Sequence, residues 1–321
     1  FIIRKIFSEI EIFFWSKLNP EFIIIRPKDI RGKYQLIAFS FKTAKDWPSN
    51  KILILENASA VIMHLSHYNI KIDEKVKNLK KLVSNLYLAS DNHLNSNIFY
   101  KKFFSWYKKE LLLISFFVDT RFFEVENYCM PSNQLLTTGT VNIIERPEKD
   151  DSHQMFSIYN LPTLNRFRYL VVNSKINLPF IFNRISVRDC RKFDLINLIK
   201  TLKILRNKKY FSFNMAKLMS EHKFYFTGSE LSGNISLSNF EAAATGSVVI
   251  LDPECQNILG NNSKNFPKFN GTFNDLYDKL NLLIKDEEMY KKFSALGKKY
   301  VLENYSIKAC IKKLEKILEK P

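Results

Sequence analysis

Most of the residue patterns around which common chemistries are built are missing from this sequence. Its four cysteines, Cys129, Cys190, Cys255 and Cys310, are far apart. No Cys-x-x-Cys pair exists to hold a metal or run a redox cycle, and reduced thiols in a cytoplasmic protein are expected. No apolar run approaches the ~18–20 residues needed to span a bilayer; the most apolar stretch, Leu111 to Val118, has the length of a buried strand. Phe1 opens a segment already interrupted by Arg4, Lys5 and Glu9, unlike a signal peptide. Without an initiator Met, the chain is expected to begin inside a larger protein. There is no Gly-x-Gly-x-x-Gly, which argues against a bound dinucleotide. Gly228 and Gly233 have the spacing of a P-loop start, but Asn234 and Ile235 stand where Lys and Ser or Thr would be required. No Asp-x-Asp triplet offers two carboxylates to a cation. His64 and His67 could ligate a metal from a helix, but they follow a predicted strand and lack an evident third ligand. Neither a cofactor nor a metal is expected.

What is present describes a globular protein. The 321 residues are 46% hydrophobic and 25% charged, enough for two domains of ordinary size. Basic residues number 49 against 32 acidic, a net charge of +17. Three readings fit: anionic lipid headgroups or substrates, nucleic acid, or a surface dressed in lysine by composition alone. The lysines are scattered, as Lys75, Lys77, Lys80, Lys81, Lys101, Lys102, Lys108, Lys109, Lys208 and Lys209 show, and no nucleic-acid motif accompanies them. No nucleic-acid partner is expected, whereas peripheral contact with the inner face of a membrane is compatible with the charge.

Helix and strand signals alternate, predicting parallel sheets with crossover helices. Strands are expected over Phe22–Arg26, Leu36–Phe41, Ser59–Leu65, Asn85–Ala89 and Leu111–Phe117, with helices over Asp73–Leu82 and Asn97–Lys109. The pattern pauses near Asn127–Asn133, where the interdomain link is placed. Beyond it, Leu135–Thr138 reads as a short strand ended by Gly139, Ile185–Asn207 as mainly helical and Lys223–Thr227 as a strand. Ser238–Thr245 reads as a short helix closed by Gly246, and Ser247–Leu251 as the next buried strand. Two amphipathic helices finish the chain. Acidic Asp286, Glu287 and Glu288 open the first and Lys298 and Lys299 close it; Ile307, Ile311, Leu314 and Leu318 line the second.

The segment Gly228–Pro253, GSELSGNISLSNFEAAATGSVVILDP, carries the most information. A loop from a strand's carboxyl end to a helix N-terminus presents free N–H groups and a positive dipole end, which suit a diphosphate. Gly233 allows close backbone approach, and Ser236 and Ser238 can cap the helix or donate to phosphate oxygens. Glu241, one turn in, can accept both hydroxyls of a ribose. It is equally the last member of a Ser238-Asn239-Phe240-Glu241 capping box, which needs no ligand. Spacing alone leaves both readings open.

This segment resembles the donor-binding signature of GT-B-fold glycosyltransferases, particularly the large group 1, family 4-like set. There a Glu-Gly-Phe-Gly loop leads to a Glu-Ala-Met-Ala-x-Gly helix. Glu241, Ala242, Ala243, Ala244, Thr245 and Gly246 match that helix, and Val248, Val249 and Ile250 the following strand. Leu112–Phe123 resembles the family's Gly-Val-Asp-Thr-x-x-Phe element, with Val118, Asp119, Thr120 and Phe123 in place and Phe117 for the glycine. Lys209–Phe226 resembles the stretch that holds the base, and Asp286–Ser306 the tail helix with its aromatic-Ser end. The first hundred residues match poorly.

The resemblance implies an α/β protein of two Rossmann-like domains facing across a cleft, closed by C-terminal helices. Residues 1–127 would form an incomplete acceptor-side domain, 128–305 the nucleotide-sugar-binding domain, and 306–321 an amphipathic helix packing back. It implies a metal-independent transfer of a sugar from a nucleotide-diphosphate donor to a hydroxyl of a glycan, lipid or polysaccharide. Donor contacts are then expected from Gly139 and Thr140 at a strand-to-loop turn, Arg184, Phe211 and Ser212, Glu230, Gly233, Asn234, Ile235 and Ser236, and Glu241 on the ribose. Arg188, Arg191 and Lys175 join Arg184 as candidates to neutralise the departing diphosphate, and His64 or His67 would orient or deprotonate the acceptor. In the retaining members a first glutamate precedes the second by eight positions; Gly233 stands there and Glu230 is out of register. That departure keeps open a non-catalytic carbohydrate- or nucleotide-binding module.

Overall fold

The computed structural model describes residues 36–40, 60–65, 72–82, 84–90, 98–113, 117–125, 130–143, 181–189, 214–229 and 235–318. By its contacts the chain divides into two units, Phe1–Ala89 and Ser90–Pro321.

In the first unit, β1 (Leu36–Ser40), β2 (Ala60–His64) and β3 (Leu86–Ser90) lie side by side and parallel, Met63 standing opposite both Phe39 and Leu88. Val61, Met63, Leu86, Leu88 and Ala89 are wholly buried, the apolar density expected of a parallel sheet covered on both faces. α1 (Ile72–Leu79) buries Ile72, Val76 and Leu79, spaced on one helical face, and runs into a 3₁₀ turn at Lys80–Leu82. The expected strand at Phe22–Arg26 lies outside the described residues.

The second unit opens with α2 (Ile98–Phe104) and β4 (Leu112–Leu113). Of the strand expected over Leu111–Phe117, Leu112–Leu113 is strand and half-buried, Phe117 is 53% exposed, and residues 114–116 lie outside the described residues. The sheet that follows is four-stranded and parallel, in the order β6-β5-β7-β8, from β5 (Ser132–Ile143), β6 (Ile181–Asp189), β7 (His222–Tyr225) and β8 (Val248–Val249).

Two sequence expectations fail here. Ile185–Asp189 is strand rather than helix, because Ile185 and Val187 alternate with polar residues along β6. Gly139 does not end β5; it lies mid-strand opposite Ile185, and β5 continues to Ile143. The neighbouring Thr137, Thr138, Thr140 and Val141 are β-formers that carry a glycine through the ladder.

Adjacent residues of this sheet feed two cores. Leu136, Tyr225 and Val249 pack on one face with α3 (Met215–Ser220), α4 (Leu237–Thr245), α5 (Pro253–Leu259) and α7 (Glu287–Tyr305). Leu135, Phe224 and Val248 pack on the other with Leu276, Leu280 and Leu283 of α6 (Phe273–Lys285). The result is a three-layer α/β/α arrangement. α7 runs past Lys298 and Lys299 to Tyr305, so those lysines sit within the helix rather than at its end, and α8 (Ile307–Leu318) follows directly. Among the described residues no helix is long and apolar enough to cross a membrane.

Candidate functional site

In the second sheet the chain moves outward from β5 to β6 and then returns to the other side of β5 as β7. Such a reversal of direction opens a crevice at the carboxyl ends of the strands, the general ligand position in open α/β sheets. The turn leaving β7 stands there. Thr227 Oγ donates to Thr138 O at 3.1 Å. Gly228 then takes φ 73°, a left-handed conformation that favours glycine. Ser229 pairs with Ile235 in a short antiparallel bridge, which ties these two positions together.

α4 begins directly after Ile235. Ser236 is its N-cap, with extended φ −65° and ψ 136°, but its hydroxyl meets Ser238 Oγ at 2.8 Å and caps no helix N–H. The capping box, one of the two readings that the spacing of Ser238–Glu241 left open, is therefore not formed: the helix starts at Leu237, and Ser238 already lies in its first turn. By contrast, α3, α5, α6 and α7 are each capped by a side chain, from Asn214, Asp252, Thr272 and Asp286 respectively. Asn239, buried in the same first turn of α4, has neither amide atom hydrogen-bonded, an exception to the rule for buried polar groups. A helical side chain leans towards the N-terminus, which sets this amide beneath the uncapped turn.

Glu241 is half-buried one turn further on. Burial pushes its pKa above the ordinary glutamate value; the nearby Arg121 cation opposes that rise and the Asp119 carboxylate adds to it. α4 packs beside a second element, the 3₁₀ turn Thr120–Phe122, which brings these charges near Glu241. Asp119 caps that turn by accepting from Arg121 N at 3.0 Å, and its carboxylate lies 4.0 Å from the Arg121 guanidinium. The guanidinium also covers the Phe122 ring, which is buried beneath it.

A third element locks the pair together. Val118 N donates to Tyr305 O at 2.7 Å, and Val118 bridges to Ser306 in parallel. The Tyr305 ring stacks on Phe240 with centroids 3.9 Å apart. Val118, Phe240 and Tyr305, far apart in sequence, thus share one core.

The turn and α4 are fastened from below by Asp252, which is fully buried. One carboxylate oxygen accepts from Glu254 N and Cys255 N, both at 2.9 Å, capping α5; the other accepts from Ser229 N and from Cys255 Sγ. Burial raises the Asp252 pKa while these donors from Cys255 and Ser229 work against the rise. Asp252 was not among the residues expected from sequence, although Asp252-Pro253 carries the signal of an N-cap followed by Pro at the first helical position. Arg121 and Tyr305 were missed too, because only tertiary packing brings them to Glu241.

The remaining expected residues fare differently. Ile235 is 2% exposed, so its side chain belongs to the core and only its backbone faces the turn. Gly139, Thr140 and Arg184 lie within the β5–β6 ladder, opposite Ile185, Ser186 and Thr138, which removes the strand-to-loop turn expected at Gly139. Arg188 lies on β6 opposite Asn142. His64 ends β2, in register with Ser40 and Ala89. His67, Lys175, Arg191, Phe211, Ser212, Glu230, Gly233 and Asn234 are outside the described residues. Among the described residues, no three His, Cys, Asp or Glu side chains gather as metal ligands. A groove of about 910 Å³ runs between Thr120, Phe123 and the α7–α8 corner, but Glu241 is not in its walls.

No protein-family model matches this sequence, and no curated protein is significantly similar to it. Solved structures are more informative. Sucrose-phosphate synthase from Thermosynechococcus elongatus superposes with a TM-score of 0.54 at 11% identity, over 89% of this chain and 73% of that one. HepE of Anabaena, solved in complex with UDP and glucose, superposes with a TM-score of 0.51 at 10% identity, over 89% of this chain and 78% of that one. Both are GT-B glycosyltransferases. The chain has the GT-B fold. At such identities the likeness establishes the architecture alone.

Proposed function

We propose that this GT-B chain is a glycosyltransferase that moves a sugar from a nucleotide-diphosphate donor to an acceptor hydroxyl. The observation that carries the reading is the pairing, on one short helix, of an N-terminus without a side-chain cap and a half-buried carboxylate one turn on, with the Arg121 cation nearby. Uncapped N–H groups and the positive dipole end suit the donor's diphosphate and its growing charge as the sugar leaves. Glu241 accepts the ribose hydroxyls. Helix amides and basic side chains carry the leaving-group charge, without a cofactor. His64 or His67 orients the acceptor, a glycan or lipid hydroxyl, and the donor domain comprises residues 128–305. The HepE structure, which holds UDP and glucose, supports a uridine nucleotide as the first donor to try.

The test is a thermal-shift screen of the protein against UDP, GDP, ADP and CDP and their glucose or mannose conjugates. One nucleotide is expected to raise the Tm by several degrees at millimolar concentration, since binding to the native state stabilises by mass action. No shift with any of them overturns the reading. Gly233, in place of the first glutamate of retaining relatives, favours a second reading as a binding module without chemistry. Nucleotide binding with no donor hydrolysis or transfer would select it.

A further inference from the structure

Asp252 caps α5, but the cap uses only one of its carboxylate oxygens. The other reaches across to Ser229 N, which begins the turn after β7. Ser229 in turn is bridged to Ile235, and Ile235 leads into Ser236 and the uncapped end of α4. Ser229 Oγ adds a second tie, donating to Glu254 Oε2 at 3.3 Å. A continuous set of hydrogen bonds therefore runs from the start of α5 to the start of α4. A carboxylate removed from water is costly unless fully hydrogen-bonded. Here four donors from three residues satisfy it, and two of them are backbone N–H groups of α5's own first turn.

We propose that Asp252 is a positioning residue for donor recognition: through Ser229 and Ile235 it fixes where the N–H groups at the start of α4 stand, and so sets affinity for the diphosphate rather than for the nucleoside. The proposal rests on the donor-site reading given above. The chemistry separates the two jobs of this side chain. Asparagine caps helices as well as aspartate does, so Asp252→Asn keeps one oxygen for Glu254 N and Cys255 N. Its amide nitrogen, however, brings a donor against the Ser229 donor, and the link to the turn is lost. Asp252→Ser also caps α5 but is too short to reach Ser229, and it leaves no opposed donor.

The experiment measures binding by the full chain of whichever of UDP, GDP, ADP and CDP binds wild type best, and of its nucleoside by competition, in wild type, D252N and D252S. Tm is recorded for each protein. Diphosphate affinity is expected to fall at least tenfold in both variants, with nucleoside affinity within twofold of wild type. Unchanged diphosphate affinity in D252N overturns the proposal, as does an equal loss for both ligands, which would mean a general loosening. If neither variant folds, Asp252 is a stability residue and the proposal fails. Wild type that binds none of the four removes the donor-site reading itself, an outcome distinct from wild-type binding with an indifferent D252N.

Discussion

Replacing Glu241 with alanine separates a ligand-binding carboxylate from a helix-capping one. In the structure Glu241 is the fifth residue of α4, beyond the reach of a cap, because the helix opens at Leu237 after Ser236. Alanine is the best helix former and differs from glutamate by only a few tenths of a kcal/mol at such a position. The Arg121 side chain near Glu241 is 65% exposed, so losing that attraction costs about 0.2–1 kcal/mol after solvent screening. Relief of the carboxylate's burial offsets part of this. The net change in stability is therefore under about 1 kcal/mol, or about 1–2 °C in Tm for a chain of this size. Binding behaves otherwise. Each hydrogen bond from a ribose hydroxyl to a charged acceptor is worth about 1.5–3 kcal/mol. Glu241 is half-buried, so the lower figure applies to both bonds, about 3 kcal/mol together, which is about a hundredfold in Kd. Calorimetric titration with the preferred nucleoside diphosphate, beside scanning calorimetry of the free proteins, reads both quantities. Unchanged affinity with a stability loss above about 1 kcal/mol would refute the reasoning and return Glu241 to a purely structural role.

Two further outcomes follow from the same site. Because burial raises the folded-state pKa of Glu241, the native protein holds its proton more tightly than the unfolded chain does. The stability this gives is fully present below the unfolded glutamate value and is lost as pH rises through the folded one. Wild type should thus lose stability relative to Glu241→Gln as pH rises above the ordinary glutamate range; a difference in Tm that stays flat with pH would show that the carboxyl is not desolvated. Phe240, 1% exposed and stacked on Tyr305, should cost about 3–5 kcal/mol when cut to alanine. Urea unfolding measures this, and a loss below about 1 kcal/mol would mean that α4 is not held by that stack.

What could be read from sequence was local and periodic. The strands around Met63 and Leu88, the stop of α4 at Gly246 and the helical stretch of α8 all follow from spacing that a few neighbouring residues reveal. Gly246 takes φ 95°, and the N–H groups of Gly246 and Ser247 close the helix on Ala243 O and Ala242 O, as a left-handed stop requires. What failed was of two kinds. Ser238 and Glu241 satisfy the capping-box spacing, but spacing does not fix the helix register, and the N-cap falls two residues earlier, at Ser236. Gly139 reads as a breaker only if its strand is short; paired throughout with β6, the strand passes over it. What no local pattern offered was the long-range part of the site. The Asp252 contact to Ser229 spans 23 residues, and the Val118 contact to Tyr305 joins opposite ends of the second unit.

The uncapped end of α4 can be left open because the helix is secured elsewhere. A nine-residue helix is marginal alone, and forgoing a side-chain cap costs about 1 kcal/mol. Phe240, Ala242, Ala243 and Ala244 are all buried, and burying the Phe240 ring alone contributes more than the missing cap by the large-to-small scale. The three alanines also let α7 come close: a Cβ placed on Gly297 would stand 3.7 Å from Ala243 Cβ and 3.2 Å from the Phe266 ring. Ser294 Oγ then donates to Gly246 O at 2.6 Å, pinning the far end. With its body and C-terminus fixed by packing, and Ser229 and Ile235 tied through Asp252, α4 holds its first turn in place without a cap from the Ser236 side chain. A helix end that is rigid, free of that side-chain cap and followed by a half-buried carboxylate is preorganised for an anion carrying a pentose, because little ordering remains to oppose binding.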